Sequence, residues 1–135
     1  MSTVKRISEI EQRIQSFMDY GGTLPGAKSY YRVDWDTNYF EVAGKMFGML
    51  SVQGSLSAII TLKNLPEKNE ELREVYPGTV IPGYYANKTH WNSIYLQTTA
   101  FSDEGICQLI LDSYQLVVAK LTKKHSKHYF LKGRV

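Results

Sequence analysis

The sequence predicts an α+β domain in which an antiparallel sheet carries helices on one face. Three observations lead there. The chain has 135 residues, which suits one domain and leaves little room for a second. Apolar residues follow helical spacing near both ends, while the middle consists of short runs rich in strand-favouring residues. The connections between those runs are too short for parallel crossovers, so neighbouring strands pair antiparallel. The resulting order is helix, four strands, helix, strand, helix, which layers naturally as a sheet with helices on one side.

The first helix starts at Ser2 or Thr3, either able to act as N-cap, and buries Ile7, Ile10, Ile14, Phe17 and Met18 along one stripe. Gly21-Gly22 is expected to end it, because glycine takes a left-handed cap without a Cβ penalty. Residues 29–35 read as a strand, with Asp36-Thr37-Asn38 as a turn. Residues 39–42 and 45–52 form a hairpin across Ala43-Gly44, and residues 56–62 make a further strand after Gln53-Gly54. Pro66 suits the first turn of a second helix that runs to Tyr76, with Leu72, Val75 and Tyr76 facing inward. Pro77-Gly78 stops it, Val80 to Gly83 begins a loop, and residues 91–97 read as the last strand. Ser102 caps the third helix, Asp103 and Glu104 sit at its positive end, and Ile106, Leu109, Ile110, Val117, Val118 and Leu121 line one face.

Composition narrows the function classes. Hydrophobic residues make up 43% and charged residues 21%, enough core and enough surface for a globular protein. No apolar run approaches the ~18 residues of a membrane span, and Met1 to Arg6 lead into a polar helix without a signal-peptide core. A cytoplasmic, monomeric protein with no membrane association is expected. Cys107 is the single cysteine, which rules out a disulfide framework or a CxxC site and reads as a small core residue. There is no GxSxG elbow and no P-loop: Gly44-Lys45 lies in a hairpin, not ahead of a helix. His125 and His128 share a helical face only if the last helix continues, and a solvated tail is the simpler reading. No catalytic residue, metal or cofactor is assigned.

Net charge is +3, and its distribution says more than its size. Residues 113–135 carry Lys120, Lys123, Lys124, Lys127, Lys132 and Arg134 with no acid, a local +6, whereas the remainder sums to −3. Such a basic end fits a polyanion partner, and equally fits a solubilising terminus. Lys120, Lys123 and Lys124 also favour the negative end of the helix dipole.

The stretch from Val75 to Asn92, VYPGTVIPGYYANKTHWN, closely resembles the MmcQ/YjbR family. Leu24-Pro25-Gly26-Ala27, Gly44-Lys45-Met46-Phe47 and the run from Ser113 to Leu121 complete the match in the family's order, spanning most of the chain. The resemblance implies a CyaY-like (frataxin-like) two-layer sandwich of residues 1–124, followed by a basic tail at 125–135. It also implies DNA binding, a label the family carries by comparison with a double-wing arrangement of hairpins. Frataxin-like iron binding is not implied here, since Glu9, Glu11 and Asp19 on the first helix alternate with Lys5, Arg6 and Arg13. Two departures stand out. The family's Pro-Phe-Gly turn is absent after the first strand, and Leu65 replaces the Asp that precedes the second helix, a cap that Asn64 is expected partly to supply.

Asn87, Lys88, His90 and Trp91 combine an amide, a cation, an imidazole and an indole, a set able to grip phosphate and stack a base. The same residues also suit a purely structural turn, with Trp91 anchoring the last strand. The function expected from all this is a non-catalytic nucleic-acid-binding protein. Lys120, Lys123, Lys124 and Lys127 would contact phosphates, and Asn87, Lys88, His90 and Trp91 would position the ligand with Arg32 and Lys45. The alternative is a protein- or small-ligand-interaction module using the sheet face. The two differ in what they require: one continuous positive surface, or a concave apolar pocket.

Overall fold

The computed structural model describes residues 2–83 and 86–124, with side chains through Leu121. The expected architecture is found: one antiparallel sheet with three helices on one face. Helix α1 (Thr3–Thr23) begins where the Ser2 side chain accepts the Lys5 N–H at 3.1 Å, so Ser2 is the cap. Gly21 and Gly22 do not end it. Gly21 is buried in its last turn, where a Cβ would stand 2.5 Å from the Phe40 ring, so the residue is there for close packing.

Strands β1 (Ala27–Arg32) and β2 (Thr37–Val42) pair from Ala27↔Val42 to Arg32↔Thr37. The turn therefore falls at residues 33–36, with Asp36 at φ 48°, and Trp35 belongs to it rather than to the strand. Ala43 (φ 51°) and Gly44 (φ 77°) make the tight turn into β3 (Lys45–Leu50). Two consecutive positive-φ residues match the twist of a two-residue hairpin. β4 (Ile59–Lys63) follows, then α2 (Pro66–Val75). Asn64 does not cap α2; its Oδ1 takes the Leu65 N–H at 2.8 Å, just outside the helix. Val75, expected inside, is 59% exposed, because the helix turns Asn69 and Leu72 inward.

A sixth strand appears where a loop was expected. β5 (Val80–Pro82) pairs with β6 (Trp91–Tyr95) as the sheet's edge, giving the order β1-β2-β3-β4-β6-β5. An edge is where a strand proline is tolerated. Helix α3 (Asp103–Lys124) begins with Ser102 Oγ accepting the Gly105 N–H at 3.0 Å. All six residues expected on its inner face are buried, with Ile10, Ile14 and Phe17 of α1 and Phe40, Val42, Leu50, Ile60, Leu62 and Ile94 of the sheet. Cys107, expected in the core, is half-buried against it. Burial, then Asp103 and Glu104, pushes its thiol pKa up, so it is protonated at neutral pH.

Candidate functional site

Register fixes which residues share an end of the sheet. Ala27 pairs with Val42 and Val42 with Lys45, so the start of β1 and the β2–β3 turn lie together. The antiparallel β3–β4 and β4–β6 pairs bring the ends of β4 and the start of β6, Lys63 and Trp91, to that same end. Arg32, Thr37, Leu50, Ile59 and Tyr95 mark the opposite end.

Ser113 sets the position of α3 across this frame. The β3–β4 ladder runs only from Gly48 to Leu50, and where the strands part the buried Ser113 hydroxyl fills the gap. It accepts the Lys63 N–H at 2.9 Å and donates to the Phe47 carbonyl at 2.6 Å. Tyr114 beside it donates to the Pro25 carbonyl at 2.5 Å. Lys120 lies seven residues on, about two turns along the same side of the helix, and its charge is near enough to act on the Lys63 ammonium. Burial and then the Lys120 charge hold the Lys63 pKa below its ordinary 10.5. Among the described residues, no ion pair joins either lysine to a carboxylate. Lys28 and Lys45 are exposed at the same end, and the α3 backbone carries Lys123 and Lys124 there. Lys127 and the histidine pair lie outside the described residues.

The Asn87–Trp91 segment joins this end through backbone bonds. The Asn64 N–H donates to the His90 carbonyl at 3.0 Å, and Lys63 pairs with Trp91. Asn87 has the structural role: its Oδ1 accepts the Thr89 N–H at 2.8 Å and the His90 N–H at 3.3 Å, closing an Asx turn. Lys88 and His90 are exposed at that turn, and Trp91 is half-buried. Arg73 of α2 fastens the segment from below. Its guanidinium donates to Asn92 Oδ1 at 2.7 Å and to the Lys88 and Trp91 carbonyls. The Asn69 amide donates to the Asn64 and Thr89 carbonyls at 3.3 and 3.1 Å.

Arg32 is not brought to this cluster. It sits at the far end of the strands, bonded through both nitrogens to Asp34 at 2.9 and 3.2 Å and lying 3.9 Å over the Trp35 ring. The hydrogen bond to Arg32 holds Asp34 below the usual carboxylate range. A shallow depression of about 550 Å³ also opens at the far end, between α1 and the β6–α3 loop. Its central cation, Arg13, already donates to Asp103 at 2.7 Å, to the Leu96 carbonyl at 2.6 Å, and to the Thr98 and Phe101 carbonyls. Among the described residues no group of His, Cys, Asp and Glu gathers as metal ligands, and no helix is long and apolar enough to cross a membrane.

Sequence reading missed Lys63, Lys28 and Arg73. Lys63 is merely the polar last residue of an apolar strand, and nothing local marks it as Lys120's neighbour. Arg73 stands among the charged residues of a solvated helix face, where its inward reach has no sequence signature.

These features define an α+β protein with an open six-stranded antiparallel sheet and a lysine-rich sheet end. The YjbR family model matches residues 22–116, and the chain belongs to that family. The Escherichia coli O157:H7 protein YbdF is 39% identical over 88 residues, 65% of this chain and 70% of its own length. YjbR of Escherichia coli K12 is 31% identical over 114 residues, covering 84% of this chain and 94% of its own. Both are described as uncharacterised. Among solved structures, Deinococcus radiodurans DR2400 superposes with a TM-score of 0.73 at 25% identity, covering 93% of this chain and 92% of its own. A Pseudomonas syringae protein follows at 0.62 and 26%, covering 76% of this chain and 96% of its own.

Proposed function

We propose that the protein is a non-catalytic, cytoplasmic nucleic-acid-binding protein that meets the phosphate backbone with the lysine-rich end of its sheet. The observation that carries this reading is the Lys63–Lys120 pair. Two like charges near each other repel, and burial together with the Lys120 charge holds the Lys63 pKa below its ordinary value. A phosphodiester placed against both would relieve the repulsion. The pair also bridges the two segments that the sequence made separate candidates, the Asn87–Trp91 turn and the basic end of α3. A continuous surface of this kind is what phosphate binding needs. Within it, Lys28, Lys45, Lys63, Lys88 and Lys120 are the contact residues, and His90 is exposed beside them. Asn87 and Arg73 act through the turn they hold.

Such contacts position a nucleic acid without reading its sequence. Binding should therefore be weak, nearly independent of sequence and steeply salt-dependent. Fluorescence anisotropy with labelled duplex and single-stranded DNA over a salt series tests it, beside a Lys63→Gln/Lys120→Gln variant. Affinity that falls with salt, with a shallower slope in the variant, supports the reading. Absence of binding at low salt refutes it.

A further inference from the structure

The depression between α1 and the β6–α3 loop, at the far end of the sheet, has a floor and a rim of different chemistry. Buried Ile10 and Leu96 with half-buried Phe101 make an apolar floor. Its volume of about 550 Å³ lies within the range of small-molecule sites, roughly 300–1,000 Å³. At the back, Arg13 and Asp103 satisfy each other, and the remaining Arg13 donors are spent on backbone carbonyls. The rim is not closed in this way. Arg6 reaches across the cleft to the neutral Gln97 amide, its Nη2 donating to Oε1 at 2.8 Å. Glu9 stands almost one turn further along α1, on the same side of the helix and also lining the cleft. Among the described residues neither is in an ion pair, with the other or with any third group. One wall of the cleft therefore carries a cation and an anion, each without a counter-ion, above an apolar floor.

We infer that this cleft binds a small zwitterion, an α-amino acid with an apolar side chain. Its carboxylate meets the Arg6 guanidinium, its ammonium meets the Glu9 carboxylate, and its side chain rests on Ile10, Leu96 and Phe101. The charge pattern selects the class. A simple anion would suit Arg6 but be repelled by Glu9, and a simple cation would meet the reverse. A molecule of both signs satisfies both. Positions three apart on a helix stand about 5–6 Å apart at Cβ, a separation that one amino-acid head group can bridge with a hydrogen bond at each end. Arg6 has several N–H donors, so it can take a carboxylate while keeping its bond to Gln97. The site is separate from the lysine-rich end and does not depend on nucleic acid binding there.

An NMR titration of the isotope-labelled full chain tests this, with L-phenylalanine, N-acetyl-L-phenylalanine and L-phenylalanine amide at millimolar concentrations. L-phenylalanine should shift the backbone amides around Arg6 to Ile10 and Gln97 to Asp103, and leave those of the lysine-rich end in place. Each blocked form lacks one of the two charges and should bind about tenfold more weakly, the loss expected for one charge-assisted hydrogen bond. Two variants should remove these preferences one at a time. Glu9→Gln should no longer distinguish the free from the acetylated form, and Arg6→Gln should no longer distinguish the free from the amidated form. Lys63→Gln/Lys120→Gln should bind L-phenylalanine as the wild type does. The blocked ligands are compared on the wild-type chain, so the outcome does not hang on the folding of any variant. Equal affinity for all three forms, shifts centred elsewhere, or no shifts at all overturns the inference.

Discussion

At one end of the sheet two arginines are tied down, and at the other a group of lysines forms no ion pair among the described residues. Arg13 donates to a carboxylate and three carbonyls, and Arg32 is clamped to Asp34 and laid on Trp35. At the opposite end Lys63 and Lys120 face each other, with Lys28, Lys45 and Lys88 exposed nearby. The difference follows side-chain chemistry. A planar guanidinium satisfies several fixed acceptors at once and serves architecture, whereas a mobile ammonium keeps its donors for solvent or an anion. A net charge of +3 hides this division, since a locked arginine and an open lysine count equally.

The largest effect should come from the locked end. Arg13→Ala strands the Leu96 and Phe101 carbonyls and should cost about 3 kcal/mol of stability. Urea denaturation checks it, with a lowered midpoint and an unchanged slope. The folded fraction should retain its binding salt slope. If the slope fell as well, the two ends would not be separable. Next comes Ser113→Ala, which leaves the Lys63 N–H and Phe47 carbonyl unpaired where β3 and β4 part. A loss of about 2 kcal/mol is expected from the same denaturation. Here binding should weaken too, because α3 no longer holds Lys120 over Lys63.

The open end should respond in the reverse manner. Lys63→Gln/Lys120→Gln should leave the denaturation midpoint unchanged or slightly raised, while the single-strand salt slope drops by about 1.4, two phosphate contacts' worth. The smallest effect is in titration. Because folding lowers the Lys63 pKa below 10.5, the unfolded chain binds more protons between the two values. This site therefore opposes folding below the folded-state pKa, and stability recovers as pH rises through it towards 10.5. NMR of the Lys63 side chain should show its pKa rising in Lys120→Gln and again when an oligonucleotide binds. A Lys63 titration indifferent to both changes would remove the pair from the account.

How much of this could be read from sequence depended on whether the cause was local. The α3 stripe from Ile106 to Leu121 was legible because a period of 3.6 needs no knowledge of its partner. Gly21-Gly22 misled because glycine marks both a cap and a close approach, and only Phe40 across the layer decides between them. Val80–Pro82 is too short to show alternation and is a strand only because β6 lies beside it. For the site, Lys120, Lys45 and Lys88 were identified by charge and motif. Their separation from Arg32 depends on register, which the hairpin residues do not reveal. Lys63 depends on a hydroxyl 50 residues away, and no pattern in the chain connects the two.

The central claim is that nucleic acid meets the lysine-rich end and not the chain's positive charge at large. The direct test compares salt slopes for the wild type, Lys63→Gln/Lys120→Gln, and Lys5→Gln/Arg6→Gln, the last pair lying at the start of α1, where Arg6 donates to Gln97 past the opposite end of the sheet. The account predicts a shallower slope in the first variant and a wild-type slope in the second. Equal slopes in all three proteins, or the same reduction in both variants, would contradict it.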